Sequence, residues 1–316
     1  MKHFLFRLGI ISGLAAFLII LAILVPIIII DSKAEFVLPK STENLILGTS
    51  RSECSFNDSL ITNTINFAHS AESYYYSYLK LKKLLEYNEG IRNVFIEFST
   101  YLISDRMDSR IWGDKYLNWR YPNYSSFMNH QDLQVIARNN WKGLLIIQSL
   151  SARNNINYVL TSLPDPLLYF DWGGYLYLER NKTDSLLKML SKQPIEKRSY
   201  NISAVNQEYL IKIINLCREK KVGVIFVRPP IHAKFPHIDE NVWTTKNNCE
   251  LLASIEYLDF KDFPLLNSDF GDLEHLNHRG ARKFSHFFNI LLEEGLLEQD
   301  DKQGFIHSSI RNELGD

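Results

Sequence analysis

Residues 8–30 form a run of about 23 residues without a charged side chain, most of them Leu, Ile, Ala, Val or Phe. A helix of roughly 20 apolar residues is long enough to cross a bilayer. Lys2 and Arg7 precede the run and the charges after it balance, so the positive-inside rule places residues 1–7 in the cytoplasm and the rest outside. We therefore expect an uncleaved transmembrane signal anchor over residues 8–30. A signal peptide cleaved near residues 32–34 is the alternative, although signal-peptide cores are typically about 7–15 residues long.

Charge and cysteine content exclude some classes of function. The net charge is -1 and no basic run stands out, so we expect no nucleic-acid partner. The three cysteines, Cys54, Cys217 and Cys249, lack metal-ligand spacing. We expect buried free thiols, with one disulfide as the alternative. The sequence indicates no metal or cofactor site.

The remainder of the chain alternates between strand and helix patterns, with strands predicted at residues 45–47, 94–98, 222–227 and 255–260. Amphipathic helices are predicted at residues 78–87, 205–220 and 279–297, with Asn277 as the N-cap of the last helix. Residues 57–66 are expected to be a loop or a short helix. Short strand–helix–strand units predict an α/β domain whose mainly parallel sheet presents its reactive loops at one edge.

An aromatic-rich stretch at about residues 101–200 interrupts this alternation, with one helix predicted at residues 131–150. We interpret the stretch as an insertion or cap, packed as core rather than arranged as a carbohydrate platform. The predicted organisation is thus a tether at residues 31–42, a domain at 43–300 and a tail at 301–316.

Three residues form the strongest candidate for chemistry. Ser50 follows the first predicted strand in the run Gly-Thr-Ser, at the end where parallel sheets present reactive groups. Asp272 and His275 lie together in a loop before the predicted helix at residues 279–297. A serine hydroxyl becomes a nucleophile when an imidazole takes its proton and an acidic group orients that imidazole. We therefore predict Ser50 as nucleophile, His275 as base and Asp272 as its partner.

Gly48-Thr49-Ser50 and the later Asp272-x-x-His275-Leu-Asn277-x-x-Gly280 together resemble the SGNH (GDSL-type) hydrolases. That resemblance implies a flavodoxin-like three-layer α/β/α sandwich and the same three catalytic roles. It also implies an oxyanion hole, in which the backbone amide of Ala68 stands where the family usually has glycine. The family's Gly-x-Asn block has no counterpart here, so a hydroxyl of Ser99 or Thr100 is the expected substitute.

Several neighbouring residues have competing interpretations. Arg51 could bind an anionic substrate, but pairing with a nearby carboxylate is favoured. His69 and Glu97 are expected to be structural rather than pocket-lining, and His232 is a weak candidate at a strand end. His278 is a rival base, disfavoured because it lies where the last predicted helix begins.

The anchor together with Gly-Thr-Ser-Arg is similar to the membrane-tethered SGNH-like proteins of bacterial envelope acylation. The similarity implies a single-pass protein of the bacterial inner membrane whose carboxy-terminal domain lies in the periplasm or outside. It further implies a serine esterase or O-acyltransferase acting on acyl esters of an envelope polysaccharide, with a membrane-bound O-acyltransferase as partner. A catalytically silent binding or scaffold subunit is the alternative, motivated by the missing Gly-x-Asn block.

Overall fold

A computed structural model describes residues 1–34, 36–161, 171–191, 201–235 and 242–314 of the 316-residue chain. The chain divides into two units. Residues 1–37 and 111–171 form a helical unit, and residues 38–110 and 172–316 form a sheet unit.

The helices with their bounds are α1 (Lys2–Lys33), α2 (Ser50–Ser55), α3 (Tyr74–Tyr87), α4 (Ser109–Trp112), α5 (Asp114–Tyr124), α6 (His130–Thr161), α7 (Thr183–Leu190), α8 (Ala204–Glu219), α9 (Val242–Asn247), α10 (Glu250–Ala253), α11 (His278–Glu293) and α12 (Lys302–Leu314). The strands are β1 (Asn44–Leu47), β2 (Thr64–Asn66), β3 (Asn93–Glu97), β4 (Gly223–Arg228) and β5 (Glu256–Asp259).

In the helical unit, α1 extends the predicted apolar segment at both ends. Its most apolar 18-residue window has a mean hydropathy of 3.2, and 11% of that window is buried. The helix is therefore long and apolar enough to cross a membrane, although a signal sequence would meet the same criteria of length and composition. The predicted helix at residues 131–150 belongs to the longer α6, which has a non-helical backbone at Asn140. The Asn140 side chain donates to the backbone oxygen of Trp112 and accepts from the backbone N–H of Gly143, which stabilises the kink.

In the sheet unit, the described strands form one parallel sheet in the order β2-β1-β3-β4-β5. Ile46, Phe95 and Ile225 are aligned across β1, β3 and β4 and belong to the aromatic-rich core that includes Phe284 and Phe288 of α11. Successive side chains of a strand point to opposite faces. The residues of the other face are buried as well: Leu45, Leu47, Val94, Ile96 and Phe226. Both faces of the sheet are therefore covered, as expected for parallel strands.

The four strands predicted from sequence are confirmed, with each end shifted by at most one residue. The expectation of a loop or short helix over residues 57–66 was wrong at its end, where β2 pairs with β1. Residues 301–316, expected to be a tail, contain α12, whose Ile306 and Ile310 are buried in the core. The helix predicted at residues 279–297 is thus not the last one. A few separated apolar residues do not reveal a buried helix in the sequence, because the core that they fill is known only from the structure.

The cysteines have free thiols, and those of Cys54 and Cys217 are buried as predicted. Cys249 is partly exposed.

Candidate active site

The turn after β1 carries Ser50, the first residue of α2. The backbone N–H groups of Thr49 and Ser52 both donate to Oε2 of Glu97, at 2.8 and 3.2 Å. The Thr49 hydroxyl donates to the other oxygen, Oε1, at 2.9 Å. Glu97 ends the adjacent strand β3 and is only 2% exposed. A buried carboxyl group from the neighbouring strand therefore holds the backbone on both sides of Ser50.

Gly48 leaves the space that this carboxyl group occupies. A Cβ atom at position 48 would lie 2.7 Å from Cβ and Oε2 of Glu97 and 2.7 Å from Oγ of Ser52. Contacts this short require the neighbouring atoms to move, so a larger residue would displace Glu97. The glycine of the Gly-Thr-Ser run thus permits a close approach between the ends of β1 and β3.

The loop after β5 brings an imidazole to Ser50. His275 Nε2 lies 2.7 Å from Ser50 Oγ, and His275 Nδ1 lies 2.9 and 3.1 Å from the two carboxylate oxygens of Asp272. The backbone N–H groups of Glu274 and His275 also donate to Asp272 Oδ1, at 2.8 and 2.9 Å. Asp272 therefore orients the imidazole and closes the loop. The structure brings together the three residues that the sequence pointed to.

The charge of Asp272 determines the tautomer of His275. Burial raises the pKa of the Asp272 carboxyl, but the hydrogen bond and charge of His275, the N–H of Glu274 and the Arg180 guanidinium outweigh burial and hold this pKa well below its usual value. Asp272 is therefore ionised at neutral pH and can only accept hydrogen bonds. Nδ1 of a neutral His275 must then carry the proton, which leaves Nε2 to accept from the Ser50 hydroxyl. That is the arrangement a general base requires.

Ser50 and His275 open onto a cavity of about 470 Å³, a volume suited to a small organic ligand. The apolar part of its lining includes Tyr101, Leu102, Met107, Leu176, Leu178 and Phe235. The charged part consists of Arg51, Glu97, Arg110, Arg180 and Glu274. A ligand with an apolar portion and a polar portion would match this lining.

Arg51 is paired within the cavity wall. Its Nε and one terminal nitrogen donate to Glu274 Oε1 at 3.1 and 2.9 Å, and its guanidinium carbon lies 5.4 Å from the centre of the Phe235 ring. The sequence analysis favoured pairing of Arg51 with a carboxylate over binding of an anionic substrate, and the structure shows this pairing.

Cys54 also lines the cavity, one turn after Ser50 on the same short helix. Burial, together with the nearby charge of Glu53, raises the pKa of the Cys54 thiol to about 12. The thiol is therefore protonated at neutral pH, whereas the Ser50 hydroxyl has a base. Of these two side chains, Ser50 is therefore the candidate nucleophile.

The predicted oxyanion donors do not match the structure. The backbone N–H of Ala68 donates to Asn66 Oδ1 at 2.8 Å, and Ala68 is fully buried. Ser99 is buried and its Oγ accepts from the Leu102 N–H at 3.3 Å, while Thr100 Oγ1 contacts Thr245 Oγ1 at 3.0 Å. None of Ala68, Ser99 and Thr100 lines the cavity. The sequence missed this because the local runs show side-chain types but not which groups are already hydrogen-bonded.

Ser50 and Ala71 are among the cavity residues whose backbone N–H has no acceptor among the described residues. Ser50 is the first residue of a helix, where an N–H has no intrahelical acceptor. Ala71 has φ +59°, a left-handed conformation that is uncommon for residues other than glycine. It is the third residue of a turn in which the Glu72 N–H donates to the His69 oxygen. Such strained positions cluster at functional sites.

The other candidate histidines have structural partners. His232 accepts at Nδ1 from the Lys234 N–H at 3.1 Å, so its Nε2 donates to Asn267 Oδ1 at 3.0 Å. His278 stacks on Tyr177 with ring centres 4.7 Å apart, and its Nδ1 lies 3.2 Å from the Leu178 oxygen. Neither forms a hydrogen bond with Ser50, whereas His275 does, so His275 is the candidate base.

Asn277 caps α11 as predicted, since its Oδ1 accepts from the backbone N–H groups of Arg279 and Gly280 at 2.9 and 3.2 Å. Gly280 is required by packing, because a Cβ there would lie 2.2 Å from the Asp269 oxygen. The end of the motif thus begins α11 immediately after the loop that carries Asp272 and His275.

Arg180 is a site residue that sequence reasoning missed. Its guanidinium donates to Asp272 Oδ2, although the two residues are 92 positions apart in the chain. Arg180 lies in the region interpreted as an insertion, where no local pattern marked it. Glu274 was likewise overlooked, although it lies inside the Asp-x-x-His run.

Residues 176–297 match a protein family that carries no functional description. The matched region includes Arg180, Asp272 and His275 but not Ser50, and it covers less than half of the chain. No curated protein matches the chain.

Proposed function

We propose that this protein is a membrane-anchored, SGNH-like serine esterase or O-acyltransferase that acts outside the cytoplasm on acyl esters. The observation that carries the proposal is the continuous set of contacts from Ser50 through His275 to Asp272, at 2.7 and 2.9 Å. Nucleophile, base and orienting acid are each within hydrogen-bonding reach, which is the geometric criterion for an activated serine.

The position of the triad in the sheet supports the same assignment. The order β2-β1-β3-β4-β5 is the doubly wound order of flavodoxin-like folds. In such sheets, ligands bind at the carboxyl ends of the strands where the strand order reverses, here between β1 and β3. Ser50 follows β1, and Glu97 ends β3. A flavodoxin-like three-layer domain of the SGNH type therefore accounts for both the topology and the site.

In the proposed reaction, Ser50 Oγ attacks the acyl carbonyl carbon while His275 Nε2 takes the hydroxyl proton. The carbonyl π bond breaks and its electrons move to the oxygen, which the backbone N–H groups of Ser50 and Ala71 stabilise. The tetrahedral intermediate collapses, His275 returns the proton to the leaving alkoxide, and an acyl-enzyme remains. Water then regenerates Ser50 by hydrolysis, or a sugar hydroxyl does so by transfer.

The location and substrate belong to the same proposal. The apolar helix α1 would anchor the chain in a bacterial inner membrane, with the carboxy-terminal domain in the periplasm or outside. An acylated envelope polysaccharide is the substrate, and a membrane-bound O-acyltransferase is the partner that would supply or use the acyl group.

Fluorophosphonate labelling of the full chain in detergent micelles tests the mechanism, because these probes modify only activated serines. We expect the wild type to be labelled, Ser50→Ala to be unlabelled and His275→Ala to label at least about 10³-fold more slowly. His278→Ala is the matched control for the histidine and should label like the wild type. Labelling that persists in Ser50→Ala would refute Ser50 as nucleophile.

The second candidate is a catalytically silent subunit that binds glycan in the same cavity. Two observations favour it. The Ala68 N–H already donates to Asn66, and neither Ser99 nor Thr100 lines the cavity, so none of the expected oxyanion donors faces the substrate. Loss of one oxyanion donor costs about 10²–10³-fold in turnover. A wild-type protein that is folded, shown by cooperative melting, and yet unlabelled would favour this second function.

A further inference from the structure

The first half of α11 carries a basic groove outside the Ser50 cavity. Four exposed basic residues lie at positions i, i+3, i+4 and i+7 of the helix: Arg279, Arg282, Lys283 and His286. This spacing places them on one face of α11. With His278 at the start of the helix they line a concavity of about 830 Å³, which we call the α11 groove.

The α11 groove has an excess of positive charge. Asp269 is its acidic lining residue, is 2% exposed and already receives Lys283 Nζ at 2.7 Å. Within the described parts of the chain, no carboxylate pairs with Arg279 or Arg282. Two guanidinium groups are therefore available for an external anion, and guanidinium binds carboxylate and phosphate oxygens in a bidentate geometry.

The α11 groove adjoins the Ser50 cavity through one segment of chain. Leu178 lines the Ser50 cavity, and its backbone oxygen accepts from the backbone N–H of His278 at 2.9 Å. The preceding residue, Tyr177, is 57% exposed and stacks on the His278 ring. An aromatic face thus lies on the chain segment that separates the two concavities.

We propose that the α11 groove binds an acidic polysaccharide and holds it beside the Ser50 cavity. Seven residues of helix span about 10 Å, so the four basic side chains can contact two or three acidic groups of one strand. Tyr177 would contact a sugar ring. Delivery of the strand to Ser50 rests on the proposed function, whereas the binding itself does not.

A lipid surface fits this face less well. Helices that lie on membranes bury an apolar face in the lipid. The apolar face of α11 is already buried in the core, where Phe284, Phe288 and Leu291 are fully enclosed. The α11 groove is also concave, which suits a chain better than a plane of headgroups.

Calorimetric titration of the full chain in neutral detergent micelles with polygalacturonate tests the inference. We expect binding that weakens as salt rises, and an affinity about tenfold lower in the double variant Arg279→Gln/Arg282→Gln, because two charge-assisted contacts are lost. The double variant Arg279→Lys/Arg282→Lys keeps the charge and should retain most of the affinity. Lys220→Gln/Arg311→Gln removes the same net charge elsewhere and should bind like the wild type.

Three results would overturn the inference. They are equal binding of neutral dextran, the same loss of affinity in Lys220→Gln/Arg311→Gln, and binding to anionic phosphatidylglycerol vesicles without binding to polygalacturonate. Equal melting temperatures of the variants establish that each is folded.

Ser50→Ala should bind the polymer with wild-type affinity. If the protein binds the polymer but is not labelled by fluorophosphonate, only the proposed function is refuted. If it is labelled but does not bind the polymer, only this inference is refuted.

Discussion

The two halves of the Ser50 site are held in place by different means. On the Ser50 side, the turn is bound by Glu97, whose 2% exposure removes competition from water. On the His275 side, the loop is bound by ion pairs to partly exposed groups, because the side chains of Glu274 and Arg180 are 38% and 42% exposed. The Ser50 turn is thus fixed by buried contacts, and the His275 loop by contacts that solvent and ions can reach. Substitutions on the two sides should therefore have different consequences.

The largest expected effect is on chemistry, at Asp272. Asp272→Asn can present an amide N–H to His275 Nδ1, which favours the tautomer whose Nε2 carries the proton and cannot accept from Ser50. In serine triads the corresponding change lowers turnover by about 10⁴-fold. We expect a comparable fall in the fluorophosphonate labelling rate with the fold retained. A labelling rate within tenfold of the wild type would show that Asp272 is dispensable.

On the Ser50 side, Glu97→Ala should affect stability as well as labelling. It leaves the N–H groups of Thr49 and Ser52 and the Thr49 hydroxyl buried without acceptors, at a cost of about 3–5 kcal/mol in the free energy of unfolding. Urea titration followed by tryptophan fluorescence measures this loss. Glu97→Gln keeps an acceptor oxygen in the same place and should retain most of the wild-type stability and labelling rate. Equal losses in the two variants would show that charge rather than hydrogen bonding holds the turn.

The dependence of stability on pH should distinguish the loop from the turn. Because the pKa of Asp272 is depressed in the folded state, its stabilising contribution is complete above its unfolded pKa of about 3.9 and is lost as pH falls toward the folded value. The melting-temperature difference between wild type and Asp272→Asn should shrink as the pH falls below about 4. A difference that grows below about pH 4 would contradict this assignment.

The smallest effect is expected at Cys54, which shares the cavity with Ser50. Since the pKa of its thiol is raised to about 12, iodoacetamide at pH 8 should not alkylate Cys54 until the protein is unfolded. Cys249→Ser removes the partly exposed thiol from the background, and peptide mass spectrometry locates the modification. Rapid alkylation of Cys54 in the folded protein would mean that the cavity activates thiols as well as the serine.

Much of the fold could be predicted because it depends on local patterns. The apolar run at residues 45–47 and the predominantly apolar run at residues 94–98 mark strands wherever they pack. The three-residue strand β2 could not be identified in this way, since Thr64–Asn66 contains one apolar residue and becomes a strand only through its pairing with β1.

The site shows the same division. Ser50, Asp272 and His275 were recognisable because a nucleophile after a strand and an Asp-x-x-His run are short local signals. The role of Glu97 depends on its register against β1, and that of Arg180 depends on the path of the chain across 92 positions. The structure does not present Ala68, Ser99 and Thr100 as oxyanion donors, because each already has a hydrogen-bond partner within the fold. Those partners are also set by tertiary structure and could not be read from the local sequence.

By itself, the sequence determined the apolar segment long enough to span a membrane, the alternation of strands and helices, and the chemical types of the three triad residues. Each of these follows from composition and from periodicity over a few neighbouring positions. Only the tertiary structure decided the strand order, the carboxyl group that holds the Ser50 turn, the partners of Arg51 and Asp272, and the basic groove on α11. These depend on contacts between distant parts of the chain, whose energies are realised only when the sheet and its covering helices are assembled.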